Sequence, residues 1–215
     1  MAIKAILFNT EMVRAILEGR KSCTRRIVKP QQLIGMLPDK CKNGAPEKFL
    51  KEKKLMFKPY CDMTDIELIN TAYKAPYQPG DILYVRETWK KALNGYYYYE
   101  DWQRNDIADV TKWKPSIRMP KEAARIWLKV TDVRVERLQE MTLKDFKAEG
   151  IHDNYKTYSE TYTDHLRQMT YPKVFARLWN STIKKSDLDR YGWDANPWVW
   201  VIEFERCEKP EEISG

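Results

Sequence analysis

"RIWLKVTDVRVERL", residues 125–138, alternates as a long strand but changes phase part-way. Ile126, Leu128 and Val130 share one face, and the next apolar positions, Val133 and Val135, fall in the opposite phase. Side chains alternate with a period of two, so a slip of one residue predicts a bulge near Thr131 and Asp132. Bulges of this kind bend strands around small barrels.

The neighbouring stretches fit that architecture. "IKAILF" (3–8) reads as a short buried strand. "NTEMVRAILEG" (9–19) reads as a helix, with Asn9 or Thr10 as its cap, an apolar stripe of Met12, Val13, Ile16 and Leu17, and Gly19 just past its end. "QPGDILYVRETW" (78–89) is a turn followed by a strand in which Ile82, Tyr84 and Arg86 alternate with Leu83, Val85 and Glu87. "YYYYE" (96–100) predicts a further strand with an aromatic surface, two of its four tyrosines exposed. "MTLKDFKAEG" (141–150) predicts a short helix capped by Thr142 and stopped by Gly150. "YPKVFARLWNSTI" (171–183) predicts another, with Pro172 in its first turn and Val174, Phe175, Leu178 and Trp179 on one face. The last strand is "PWVWVIEFERC" (197–207), with Trp198, Trp200, Ile202 and Phe204 inward. The sum is an α+β protein: one domain over residues 1–215, a small mixed β-barrel with peripheral helices. Insertions are expected at about 36–76, which is lysine-rich and proline-flanked, and at 152–195.

Bulk properties narrow the function. The 215 residues carry a formal charge of +7 and 13% aromatics, with a pI of about 9.1, a balance that suits a nucleotide or polyanionic partner. Four cysteines form no CxxC pair, and His152 and His165 are the two histidines, so no metal site and no cofactor are expected. No phosphate loop, GxGxxG, GxSxG or HExxH occurs. No stretch reaches the roughly 20 apolar residues of a membrane span, and no signal peptide opens the chain. The expected setting is the cytoplasm, with reduced thiols and no membrane partner.

The densest chemical signal is "GRKSCTRR" (19–26): four cations, a thiol, two hydroxyls and no acid. Arg20, Arg25 and Arg26 surround Lys21, and repulsion among them disfavours its ammonium form. A neutral lysine is a base able to deprotonate a hydroxyl, and Thr24 lies three residues on. In an extended strand that spacing puts the two side chains on opposite faces, so they meet only if the chain turns. The same residues serve equally as a solvated cationic turn that grips phosphate. Glu149, at the end of the predicted helix 141–150, is the candidate acid, because a helix C-terminus and partial burial both favour its protonated form.

"ILEGRKSCTRR", "PGDILYVRETW", "LKVTDVRVERLQEMTLKDFKAEGI" and "WVWVIEFER" together resemble the ASCH (activating signal cointegrator homology) family of the PUA-like superfamily. Gly19, Lys21, Thr24 and Arg26 match its motif of glycine, lysine, glutamate or threonine, and arginine. The longer arrangement is similar to ASCH-like proteins of phages and prophages. The resemblance implies a cleft for RNA or a modified nucleoside. One bacterial branch hydrolyses N(4)-acetylcytidine with a lysine, a threonine and a glutamate, which implies catalytic roles for Lys21, Thr24 and Glu149. Lys21 would take the Thr24 proton as the oxygen attacks the acetyl carbonyl, and Glu149 would protonate the departing amine. Arg20, Arg25, Arg26, Glu87 and Arg118 are the candidate substrate-binding residues. The competing readings are an RNA-binding module without catalysis and a ribonuclease using the same cationic cleft.

Overall fold

The computed structural model describes residues 1–29, 73–103, 112–152 and 160–211. Most of the expected insertion at 36–76 lies outside them. Among them are seven strands: β1 (Ile3–Leu7), β2 (Cys23–Ile27), β3 (Ile82–Arg86), β4 (Trp89–Ala92), β5 (Gly95–Tyr98), β6 (Trp127–Arg137) and β7 (Trp198–Cys207). The α-helices among the described residues are α1 (Thr10–Leu17), α2 (Tyr99–Gln103), α3 (Leu143–Ala148), α4 (Glu160–Ser181) and α5 (Leu188–Tyr191). The fold is α+β.

β6 and β7 form the spine of a five-stranded sheet ordered β1-β3-β6-β7-β2. β1 runs parallel to β3, and the other pairs are antiparallel. The register of β6 on β7 shifts between Val130 and Asp132. The slip in apolar phase thus becomes a bulge at the expected place. It lets Val130 and Val135 both reach the main core although they have opposite parity.

That core holds Ile6, Leu83, Val85, Leu128, Trp198, Trp200, Ile202 and Phe204, with Val13 and Ile16 of α1 packed on it. α1 is capped as predicted: the Met12 amide donates to Asn9 Oδ1 at 2.8 Å. The opposite side of β7 is buried too. Val199 and Val201 sit under Phe146 of α3 and Tyr171, Phe175 and Trp179 of α4, so β7 is apolar on both sides.

Three local expectations change. α4 starts at Glu160, so Pro172 lies inside the helix rather than in its first turn. Nothing in residues 160–171 breaks a helix, and burial of Tyr171, Phe175 and Trp179 offsets the hydrogen bond that proline removes. Val174 points outward at 46% exposure, off the buried face of its neighbours. Tyr96, Tyr97, Tyr98 and Tyr99 are all half-buried, because β5 pairs with β4 and the chain then turns into α2. No helix among the described residues is long and apolar enough to cross a membrane.

Candidate functional site

The cationic stretch is fixed by backbone before any side chain acts. Past the end of α1, Gly19 takes a positive φ of 72°, and the amides of Arg20 and Lys21 both donate to Ala15 O. Lys21 then forms an isolated antiparallel bridge with Glu149, the residue that ends α3. Two residues later the chain enters β2.

Gly150 makes that bridge possible. Its φ is +94°, and a Cβ there would lie 2.8 Å from Ala15 Cβ and 3.3 Å from Lys21 Cβ. Only glycine allows both the conformation and the approach. The end of α3 therefore seats against the α1–β2 corner, and Glu149 faces Lys21.

The acids missing from "GRKSCTRR" are supplied from other parts of the chain. Lys21 Nζ lies 2.6 Å from Glu149 Oε2 and also donates to the Glu149 carbonyl at 3.0 Å. Arg25 reaches Glu149 Oε1 at 3.2 Å, with Glu136 and Asp145 as further partners. Arg20 pairs with Glu18 and donates to Gly150 O at 2.6 Å. The expected mutual repulsion is thus offset by ion pairs: Arg20 points at Glu18, and Lys21 and Arg25 share Glu149, with Glu136 and Asp145 also on Arg25. Burial pushes the Asp145 carboxyl up, but its hydrogen bonds with Thr142 and the nearby Arg25 charge outweigh that and hold it below the usual aspartate value.

Arg26 is the exception. Nη1 donates to Thr24 Oγ1 at 3.2 Å and to Arg25 O, and Nη2 donates to Leu7 O at 3.1 Å. Among the described residues it has no carboxylate partner, and desolvation lowers its pKa. Its Leu7 bond ties the two end strands of the sheet, β2 and β1, where no backbone pairing joins them among the described residues.

A cavity of about 520 Å³ opens there. Its walls include Ala5 and Leu7 of β1, Thr24, Arg25 and Arg26 of β2, Arg86 of β3, Glu149, Tyr77, and Phe175, Leu178 and Trp179 of α4. Thr24 and Glu149 are buried at 1% and 5% exposure, and both face it. Lys21 does not line the cavity; its ammonium sits behind Glu149 with no exposed side-chain surface. No hydrogen bond joins Lys21 to Thr24. Both are linked to the Phe8 ring: Lys21 Nζ lies 5.6 Å from its centre, as does the guanidinium of Arg26, which donates to Thr24.

Cys23 is a poor nucleophile. Burial, and then the Glu149 charge, push its thiol up to about 12. Glu87 and Arg118 stand apart from the cavity lining. Glu87 is buried in a two-point pair with Arg125 at 2.9 and 3.0 Å; burial raises its pKa against the pull of that guanidinium. Arg118 is exposed at the end of a single 3-10 turn, Ser116–Arg118. His152 and His165 do not line the cavity either. Among the described residues no three His, Cys, Asp or Glu side chains are grouped to hold a metal ion.

Three contributors escape the sequence reading. Arg86 was visible as a charged position in the alternation of β3, and its place opposite Leu7 in the β1–β3 register carries it to the cavity. Leu178 and Trp179 of α4 gave no signal beyond an apolar helix face.

No family model matches the chain, and no curated protein matches it. Among solved structures, the chain is similar to the ASCH domain from Lactobacillus crispatus JV V101, which has a high-resolution crystal structure. It resembles an ASCH domain. The TM-score is 0.36 at 11% identity, with 95% of this chain and 79% of that chain covered. A likeness this distant carries no chemistry from one chain to the other.

Proposed function

We propose that the protein is an amidohydrolase that removes an acyl group from the exocyclic amine of a pyrimidine nucleoside such as N(4)-acetylcytidine. One observation carries the reading. Thr24 and Glu149, distant in sequence, line one cavity, and Lys21 is hydrogen-bonded to Glu149 at 2.6 Å. A hydroxyl and a carboxyl on the cavity wall, with an amine behind the carboxyl, supply the groups that acyl transfer needs once Lys21 turns to Thr24.

The reaction begins with Lys21 passing a proton to Glu149 through their hydrogen bond, which leaves an amine and a carboxylic acid. Lys21 then takes the Thr24 proton as Oγ1 bonds to the acyl carbon. Arg26, already donating to Thr24 Oγ1, supports charge that develops on the oxygens. Collapse breaks the C–N bond, and the Glu149 proton goes to the leaving amine. Lys21 is again an ammonium and Glu149 a carboxylate. Water then releases the acyl group: Glu149 takes its proton as the water oxygen bonds to the acyl carbon, and returns that proton to Thr24 Oγ1 as the ester C–O bond breaks. The cavity volume lies within the range for small-molecule sites, and its apolar side walls suit a base.

The test is capture of the intermediate. Rapid quenching with N(4)-acetylcytidine, followed by peptide mass analysis, should find one acetyl group on the peptide bearing Thr24. Turnover without such an adduct, unchanged in Thr24→Val, would refute threonine catalysis.

A second reading is favoured by the cations that lack carboxylate partners: an RNA-binding module or ribonuclease using the same cleft. It predicts binding that falls steeply with salt and survives Thr24→Val.

A further inference from the structure

The charge of the cavity is unbalanced. Arg25, Arg26 and Arg86 line it against a single carboxylate, Glu149. Arg25 is matched by Glu149, Glu136 and Asp145. Among the described residues, Arg26 and Arg86 have neutral hydrogen-bond partners only. Arg86 donates to Ile117 O at 3.3 Å and to the Tyr84 hydroxyl at 3.2 Å, while its buried Nε finds no acceptor. Arg26 spends its bonds on Thr24 Oγ1 and two backbone carbonyls.

Both residues line the one cavity, and both are tied to Leu7. Leu7 pairs with Arg86 across β1 and β3, and the Leu7 carbonyl accepts from Arg26. Each guanidinium lies against a ring, Arg26 on Phe8 at 5.6 Å and Arg86 on Tyr84 at 5.4 Å, which limits their freedom. Partly buried cations without counterions are costly, and an anion is what relieves them. Two unmatched positive charges fit a phosphate monoester, near −2 at neutral pH, better than a carboxylate. Guanidinium forks also match phosphate geometry.

We propose that the cavity takes a nucleoside monophosphate rather than a free nucleoside, with the phosphate held between Arg26 and Arg86. The identity of the base rests on the amidohydrolase reading above; the phosphate site does not. An RNA strand is the less fitting occupant, because a cavity of this size accommodates a single nucleotide.

The test is calorimetric binding of cytidine monophosphate and cytidine to the intact protein at one fixed salt concentration, beside turnover of N(4)-acetylcytidine and its monophosphate. The monophosphate should bind about tenfold tighter or better, the effect of one charge-assisted contact. Arg86→Gln should bring that ratio close to one, and Arg86→Lys should keep part of it. Thermal melts of both variants confirm that they fold. A phosphate preference that depends on Arg86, with neither acetylated compound cleaved, would support the anion site and remove the amidohydrolase. Equal binding of the two ligands, with N(4)-acetylcytidine still cleaved, would overturn the phosphate site and leave the enzyme standing. Tighter binding of a short RNA than of the monophosphate would also overturn it, in favour of a polymer.

Discussion

Lys21 Nζ and Glu149 Oε2 are 2.6 Å apart, with both side chains almost fully withdrawn from solvent. Arg25 holds the other oxygen of the same carboxylate. Removing the Glu149 carboxylate would therefore strand the buried Lys21 ammonium, whereas Arg25 keeps Glu136 and Asp145. Glu149→Gln should cost about 3–5 kcal/mol in urea unfolding, and Lys21→Met less, because Arg25 still faces the acid. The double variant should be more stable than the sum of the two losses predicts, by about 0.5–3 kcal/mol. Strict additivity would mean that the pair is not coupled.

Gly150 is the hinge of the site. Gly150→Ala meets both a positive φ and the contact with Ala15, whereas Gly80→Ala meets a φ of +87° in open space. Each should lose about 1–3 kcal/mol to backbone strain. Gly150→Ala should lose distinctly more, and nucleoside cleavage with it. Equal melting points for the two variants would contradict the close packing of α3 against the α1–β2 corner.

Much of this was legible and some was not, for local reasons. The bulge in β6 could be read because a phase slip is written directly in the order of apolar residues. Thr142, Asn9 and Gly150 could be read because caps and stops depend on a few neighbouring residues. The electrostatics of Lys21 could not. Sequence proximity puts it among arginines, but the fold turns Arg20 and Arg25 toward Glu18, Glu136, Asp145 and Glu149, and sets Lys21 against the other oxygen of Glu149. Pro172 misled for the opposite reason. A local rule favours helix starts at proline, and burial of Tyr171 and Phe175 on either side overrides it. Arg86 needed the β1–β3 register, which no single strand contains.

Acid stability should depend on Asp81. Burial pushes this carboxyl up, but hydrogen bonds from Lys4 at 2.6 Å and from the Ala2 and Gln78 amides outweigh it, so its pKa lies below the ordinary 3.8. A lowered folded pKa means that the folded state binds protons less readily than the unfolded chain. The stabilisation is therefore complete above 3.8 and lost as pH falls through the lower folded value. Asp81→Asn should flatten the acid limb of a stability-versus-pH curve and leave its alkaline limb unchanged. An unaltered acid limb would remove Asp81 from the account.

Cys23 should be silent to thiol reagents. It is 2% exposed and its thiol is pushed up to about 12, while Cys207 is half-buried on the last strand. Alkylation of the native protein at neutral pH should leave the Cys23 peptide unmodified, and denaturation should expose it. Rapid native labelling would show a thiolate in the cluster and make Cys23, not Thr24, the candidate nucleophile.

The most direct measurement is cytidine release from N(4)-acetylcytidine by the wild-type protein, Thr24→Ser, Thr24→Val and Lys21→Met, each checked for folding by thermal melting. Turnover should be present in the wild type, partly kept by serine, and reduced at least about a hundredfold in the other two. Wild-type inactivity toward both the nucleoside and its monophosphate, or full activity in Thr24→Val, would contradict the account.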